Sequence, residues 1–227
     1  MYKIFFSILL LFLINCASVY QNRKLAYRTN KSAFYTIEKK EFDDSSLFST
    51  PFIHPYKIEA NKLEDIVGNL RFRKITRIGE LRDYVFHPEE LTNLAKDIKQ
   101  VLANLKENEC IQIISMYDHT SSVISNYKRT TMLLWIDNDG LNLVFGQIQS
   151  EVSKDAGKSF FDWTQIPSIN LKQEPDENEI EEETNPYYTF KQVGGYLNKK
   201  WLQFSLSDLS KYKLKERRIL NPSRKED

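Results

Sequence analysis

Residues 87–109, HPEELTNLAKDIKQVLANLKENE, contain the most regular pattern in the chain. Apolar side chains recur there at intervals of three and four residues, which is the spacing of one face of an α-helix. These side chains are Leu91, Leu94, Ala95, Ile98, Val101, Leu102 and Leu105. Pro88 suits the first helical position, and Glu89 and Glu90 would lie beside the positive end of the helix dipole. The stretch therefore predicts an amphipathic helix that packs on a core.

Three β-rich segments follow this helix. They read CIQIISMY at 110–117, TTMLLWI at 130–136 and LNLVFGQIQ at 141–149, and β-branched, aromatic and long apolar side chains dominate them. Asp139-Gly140 lies between the second and third segments, and this pair is typical of tight hairpin turns. The segments therefore predict neighbouring antiparallel strands.

Shorter elements flank this central region. Before the long helix, local periodicity predicts a short amphipathic helix over 59–70 and a strand over 71–78. Near the C-terminus, the pattern predicts a hairpin over 194–206 with its turn at Asn198-Lys199. A last short helix is predicted to begin at Asp208, with Ser207 as its cap. Helices and strands in this order predict an α+β fold. Its expected form is a largely antiparallel sheet with two or three amphipathic helices on one face.

We expect a single α+β domain over residues 51–218. Residues 16–50 are rich in charged and hydroxyl side chains without a sustained period, so we predict a lipidated N-terminus and flexible tether, with room for one short strand at 33–37. Residues 172–186 are strongly acidic, and repulsion between like charges favours a solvated loop there. Residues 219–227 are predicted to be a disordered tail.

The first sixteen residues have the profile of an export signal. Lys3 precedes an uncharged apolar run over residues 4–14, which is about half the length that a membrane-spanning helix needs. The run ends in Leu13-Ile14-Asn15-Cys16, without the small-x-small pattern of an ordinary cleavage site. We therefore predict a signal peptide over residues 1–15 and a mature chain that begins at Cys16.

This boundary resembles the lipobox of bacterial lipoprotein precursors, in which leucine, an aliphatic residue and a small residue precede an invariant cysteine. Asn15 occupies the position where glycine, alanine or serine is usual. The four-residue motif is therefore more similar to the relaxed lipobox of spirochaetes such as Leptospira. The resemblance implies a diacylglyceryl group and an N-acyl group such as palmitate on Cys16. It also implies a cell-envelope location, lipid-anchored to a membrane, with the outer membrane as the expected one. The order of elements in the domain resembles other bacterial lipoproteins and implies no activity.

Composition restricts the classes of function. The formal net charge is +1, and loss of Lys3 with the signal peptide leaves a neutral mature chain, which argues against a nucleic-acid partner. Cys110 is the one cysteine besides Cys16, so no intrachain disulfide is expected. We predict that Cys110 is an inert thiol in the core.

One segment has the residue types of a hydrolase. In YDHTSS, at 117–122, Asp118 and His119 stand beside Ser121 and Ser122, and nucleophilic catalysis needs a serine near a histidine that a carboxylate orients. Adjacency in sequence does not create that geometry. A solvated loop, in which Asp, Ser and Thr bond their own backbone, is the interpretation we favour.

Two further groups have a structural and a functional interpretation. His54, His87 and His119 could hold zinc only if the fold brought them together, because none has a partner at i+3 or i+4. Phe160, Phe161 and Trp163 lie in SFFDWTQIP and either pack over the sheet or present an interaction surface. We favour packing for the aromatic side chains and no metal for the histidines.

The sequence therefore predicts a lipid-anchored envelope lipoprotein with a non-catalytic binding or structural role, without a cofactor or metal. Its expected partners are the membrane, through the acyl groups on Cys16, and a protein or envelope polymer. The alternative is an envelope-associated hydrolase that uses Asp118, His119 and Ser121.

Overall fold

The computed structural model describes residues 22–48, 51–77, 79–118, 127–152, 162–173, 178–183 and 187–217. Within these ranges the α-helices are α1 (Ala60–Gly68) and α2 (Pro88–Leu102). The strands are β1 (Lys24–Arg28), β2 (Ser32–Glu38), β3 (Arg71–Thr76), β4 (Gly79–Tyr84), β5 (Glu109–Asp118), β6 (Tyr127–Asp137), β7 (Gly140–Phe145), β8 (Ser150–Glu151), β9 (Asn178–Ile180), β10 (Tyr188–Val193) and β11 (Tyr196–Phe204). Short 3₁₀ turns cover Lys39–Glu41, Ser45–Leu47 and Leu206–Lys211.

The strands form two antiparallel sheets. The larger has eight strands in the order β1-β2-β5-β6-β7-β11-β10, and β8 pairs with β6 beside this path. The smaller has the order β4-β3-β9. The prediction of a largely antiparallel sheet is confirmed. The protein is mostly sheet with a few helices, which is consistent with an α+β or a mainly-β class.

Strand β5 lies inside the large sheet and is covered on both faces. Ile111 and Ile113 belong to the main hydrophobic core, which also contains the buried side chains of α1 and α2. Cys110 and Ile114 belong to two other apolar clusters. Because successive side chains of a strand point to opposite faces, this division explains why β5 is a nearly continuous apolar run rather than an alternating one.

The predicted stripe of α2 is buried. Ile98 and Leu102 are 0% exposed, and Leu94 is 3% exposed, all within the main core. The helix begins at Pro88, as predicted, and His87 is its N-cap. His87 Nδ1 accepts a hydrogen bond from the Glu89 N–H, while the Glu90 carboxylate accepts one from the His87 N–H, so two otherwise unpaired donors of the first turn are satisfied.

The N-terminal region differs from the predicted tether. β2 pairs with β5 from Ser32 opposite Ser115 to Glu38 opposite Glu109, and β1 extends the sheet beyond β2. Residues 22–48 therefore belong to the folded domain, which begins before residue 51. The tether was predicted because β1 is polar and exposed, and because the partner of β2 lies far along the chain.

Part of the acidic segment is also ordered as a strand. β9 pairs with β3, and Arg73 Nε donates a hydrogen bond of 2.6 Å to Glu179 Oε1. Lys199 contacts the same carboxylate oxygen at 3.4 Å. Basic neighbours thus offset the repulsion on which the prediction of a solvated loop rested. The stretches 174–177 and 184–186 of that segment lie outside the described residues.

The C-terminal hairpin turns earlier than predicted. Gly194 and Gly195 connect β10 to β11 with φ values of 58° and 89°, which glycine adopts readily, whereas Asn198 is buried inside β11. The last helical turn, Leu206–Lys211, follows Ser205 rather than Ser207.

Trp163 packs as expected. It is 5% exposed and lies in an apolar cluster with Ile114 and Met116. Phe160 and Phe161 lie outside the described residues.

Candidate functional site

Several residues singled out in the sequence fall outside the described ranges. These are Cys16, His119, Ser121 and Ser122, so lipidation and the hydrolase set stay predictions. Asp118 is described, and it is the last residue of β5, opposite Tyr127 in β6.

The other two histidines occupy unrelated environments. His54 is buried and accepts a hydrogen bond at Nε2 from the Ile136 N–H, and its ring packs beside Phe52. His87 caps α2 and stacks on Tyr117 with ring centroids 4.4 Å apart. Over the described part of the chain, no group of three or more His, Cys, Asp or Glu residues is arranged to hold a metal ion.

A polar cleft of about 330 Å³ lies where residues 89–97 of α2 meet the β1–β2 turn and the second half of β5. We call it the α2 cleft. The residues that line it are Tyr27, Thr29, Asn30, Lys31, Ser32, Glu89, Glu90, Asn93, Leu94, Asp97, Ser115 and Tyr117. Its volume is at the lower end of the range of small-ligand sites.

Each wall of the α2 cleft follows from local structure. Glu90 and Asp97 are seven residues apart on α2, which places them on the same side of the helix. Ser115 and Tyr117 are two apart on β5 and share one face of the sheet. In the β1–β2 turn, Thr29 Oγ1 accepts hydrogen bonds from the N–H groups of Lys31 and Ser32, which fixes that wall.

Three carboxylates in the cleft are hydrogen-bonded to hydroxyl groups. Tyr117 Oη donates to Glu89 Oε2 at 2.6 Å, and Ser115 Oγ donates to Glu90 Oε2 at 2.7 Å. A longer bond of 3.4 Å joins Ser32 Oγ to Asp97 Oδ2. The hydroxyl groups hold the carboxylates in place and tie α2 to both β5 and the β1–β2 turn.

Burial and hydrogen bonding change the acidity of these groups. Burial raises the pKa of Glu90 and of Asp97 above their usual range. The hydrogen bond to Glu89 raises the pKa of Tyr117 to about 12, so its phenol stays a proton donor at neutral pH. Lys31 is the one cationic side chain among the described lining residues, and its Nζ lies 5.4 Å from the centroid of the Tyr117 ring. Carboxylates therefore outnumber cations in the α2 cleft.

The sequence prediction missed this cleft because its walls come from three distant parts of the chain. From the sequence, Glu89 and Glu90 were explained by their favourable interaction with the helix dipole, which is a local effect. One signal was present in CIQIISMY, where Ser115 and Tyr117 place hydroxyl groups at alternating positions of an otherwise apolar strand. This alternation indicates that one face of the strand becomes polar near the C-terminal end of the strand.

Comparisons of the chain with models of protein families, with curated protein sequences and with solved structures gave no match. Among the described residues, no helix is both long and apolar enough to cross a membrane.

Proposed function

We propose that this protein is a lipid-anchored envelope lipoprotein that binds a basic group of a protein or envelope polymer in the α2 cleft, without catalysis. The anchor is the diacylglyceryl and N-acyl modification of Cys16, supported by Leu13-Ile14-Asn15-Cys16 at the end of a short apolar run. Two or more acyl chains hold a protein stably at a bilayer, whereas one gives marginal binding. The outer membrane is the proposed location.

The observation that carries the binding role is the excess of carboxylates over cations in the α2 cleft. Among the lining residues, Glu89, Glu90 and Asp97 carry carboxylates and Lys31 carries the one ammonium group, while Arg217, outside the lining, also attracts Glu90. A ligand with an ammonium or guanidinium group complements this charge and supplies the hydrogen-bond donors that carboxylates accept.

Burial of the hydroxyl groups supports binding over catalysis. Ser115 is 4% exposed, and its hydroxyl group already donates to Glu90. A nucleophile must reach the substrate, so this serine is better suited to holding a carboxylate in position.

A short segment separates the described domain from the proposed anchor. β1 begins at Lys24, so residues 17–24 separate the lipidated cysteine from the sheet. Those residues span at most about 28 Å when fully extended. We further infer an α+β class with α1 and α2 on one face of the large sheet, because the buried side chains of both helices belong to one core. Close tethering suits a protein that meets its partner near the membrane surface.

Binding of a fluorescent trilysine peptide to the purified full chain tests this function by fluorescence anisotropy. The double variant Glu89→Gln/Asp97→Asn should weaken binding by about fivefold or more, because it removes two charges from the cleft. Glu107→Gln removes one exposed carboxylate outside the cleft and should leave the affinity unchanged. Equal losses in both variants, or no binding by the unaltered protein, would reject the α2 cleft as a site for basic groups.

The alternative function is an envelope-associated hydrolase that uses Asp118, His119 and Ser121. Asp118 directly follows Tyr117 in β5, and because successive side chains of a strand point to opposite faces, this adjacency does not bring the Asp118 carboxylate into the α2 cleft. Hydrolysis of a p-nitrophenyl ester that Ser121→Ala abolishes would establish this alternative. Unchanged turnover in that variant would eliminate it.

A further inference from the structure

A second cleft, of about 170 Å³, lies where the segment after the last 3₁₀ turn packs against α1 and the start of β10. We call it the Tyr212 cleft. Its polar lining residues include Tyr187, Tyr188, Lys211, Tyr212, Lys213 and Lys215. Ile66 and Leu70 contribute an apolar wall. This cleft is formed by different elements from those of the α2 cleft.

Tyr212 supplies an unused hydrogen-bond donor in this cleft. The residue is 6% exposed, and its ring lies 5.3 Å from those of both Phe204 and Tyr187. Its Oη is buried and has no hydrogen-bond partner among the described residues. Burial raises the pKa of Tyr212, so the phenol keeps its proton. A buried hydroxyl without an acceptor is uncommon in folded proteins and calls for an explanation.

Polar side chains of α1 and its C-cap hold this wall of the cleft in place. Lys62 Nζ donates to the Tyr212 carbonyl oxygen at 3.0 Å. Asn69 donates from Nδ2 to the Lys213 carbonyl oxygen and accepts at Oδ1 from the Lys215 N–H, at 2.8 and 2.9 Å. The Tyr212 cleft is therefore preformed, and its unused donor is not the result of a loosely packed segment.

The charges at the cleft are predominantly positive. Lys211 pairs with Asp208 at 2.6 Å, and Lys215 pairs with Glu183 at 2.8 Å, which neutralises the acidic lining residue. Lys213 is exposed and makes no ion pair with another described residue. Hydrogen-bond donors and positive charge are thus both in excess.

We propose that the Tyr212 cleft binds an oxyanion, of which phosphate is the simplest, with the Tyr212 hydroxyl and the Lys213 ammonium group as its donors. An oxyanion offers several acceptor atoms and a negative charge. It would therefore supply an acceptor for the Tyr212 hydroxyl and a counter-ion for the Lys213 ammonium group. The apolar wall at Ile66 and Leu70 leaves room for a carbon chain attached to the anion. The ligand is therefore either free phosphate or the phosphate of a lipid headgroup. This proposal does not depend on Cys16 or on the α2 cleft.

Thermal unfolding of the full chain in a neutral detergent, with increasing inorganic phosphate at constant ionic strength, tests the proposal. A ligand that binds the folded state alone stabilises it by RT ln(1 + [L]/Kd), so the rise of the Tm over the series yields an apparent Kd. Tyr212→Phe should weaken phosphate binding about tenfold while folding normally, because the lost hydroxyl makes no hydrogen bond in the free protein. Lys213→Gln should weaken it as well. Lys96→Gln, which removes an exposed lysine on α2, is the matched control and should bind phosphate normally.

The source of the anion is distinguished by repeating the titration with dihexanoyl phosphatidate, a short-chain soluble lipid. Tighter binding than that of phosphate, with the same dependence on Tyr212 and Lys213, assigns the cleft to a lipid headgroup. Equal or weaker binding assigns it to a free anion. The absence of any phosphate effect on Tm, or an equal effect in all three variants and the unaltered protein, would overturn the proposal.

Discussion

Ser115 in β5 donates a hydrogen bond of 2.7 Å to Glu90 in the first turn of α2. The other carboxylate oxygen of Glu90 accepts the His87 N–H, also at 2.7 Å. One side chain therefore caps the helix, joins it to the sheet and forms part of the α2 cleft. The position of the cleft carboxylates depends on this link.

Replacement of Glu90 should separate its structural role from its charge. Glu90→Ala should lower the free energy of unfolding by about 1–3 kcal/mol, because it removes the capping interaction and leaves the Ser115 hydroxyl without its partner. Glu90→Gln should cost less, since the amide can still accept the His87 N–H and burial disfavours the charge that it removes. Urea unfolding at neutral pH measures both. Equal losses in the two variants would show that the charge, rather than the capping interaction, stabilises this contact.

Replacement of Ile98 tests directly whether α2 packs on the core. Its side chain is fully buried in the main core, so Ile98→Ala should lower the free energy of unfolding by about 2–4 kcal/mol through lost burial and a residual cavity. Lys96→Ala, two residues away on the exposed side, should change it by less than about 0.5 kcal/mol. Urea unfolding of the two variants measures both changes. A small loss of unfolding free energy in Ile98→Ala would show that α2 does not pack on the core.

Periodic and locally encoded features were predictable from the sequence. The α2 stripe repeats over four turns and was confirmed. The hairpin between β6 and β7 was also confirmed, but its turn residues are Asn138 and Asp139, and Gly140 begins β7 opposite Asp137. β1 was missed because it is polar and exposed and because its neighbour β2 pairs with the distant β5. β9 was missed because it is polar and pairs with the distant β3. The α2 cleft was missed for the same reason, since Lys31, Glu89 and Ser115 meet only after the sheet has formed. Non-local pairing carries information that no short window contains.

Lipidation of Cys16 is the prediction on which the envelope location rests. The unaltered protein should enter the detergent phase on Triton X-114 partitioning, because acyl chains add about 0.8 kcal/mol per buried CH₂. Cys16→Ala should leave an unlipidated precursor and move the protein out of that phase. Cys110→Ala is the control and should partition like the unaltered protein. If Cys16→Ala still enters the detergent phase, membrane association has another origin.

Cys110 should be chemically inert in the native protein. The thiol is 0% exposed, lies near the Ile37 carbonyl oxygen, and has its pKa raised by burial, so little thiolate forms at neutral pH. The prediction of a buried core position is confirmed. Native protein should therefore resist DTNB and react only after denaturation in guanidinium chloride. Rapid stoichiometric labelling without denaturant would contradict this packing.

His54 should make the stability of the fold depend on pH. Burial lowers the pKa of His54 to about 4, below the ordinary value near 6.5 that applies in the unfolded chain. The unfolded state therefore binds the proton more tightly, and stability that is present above pH 6.5 is lost as the pH falls towards 4. The gap between the two values corresponds to about 3 kcal/mol.

His54→Gln isolates this contribution, because a glutamine oxygen can replace Nε2 as the acceptor for the Ile136 N–H and does not titrate. Carboxylates titrate in both proteins, so their effect cancels when the two free energies of unfolding are subtracted. The difference between the unaltered protein and His54→Gln should shift by about 3 kcal/mol in favour of the variant between pH 7 and pH 4. Urea unfolding at both pH values provides the measurement. A difference that stays constant would mean that water reaches His54 and that its charged form is tolerated in the fold.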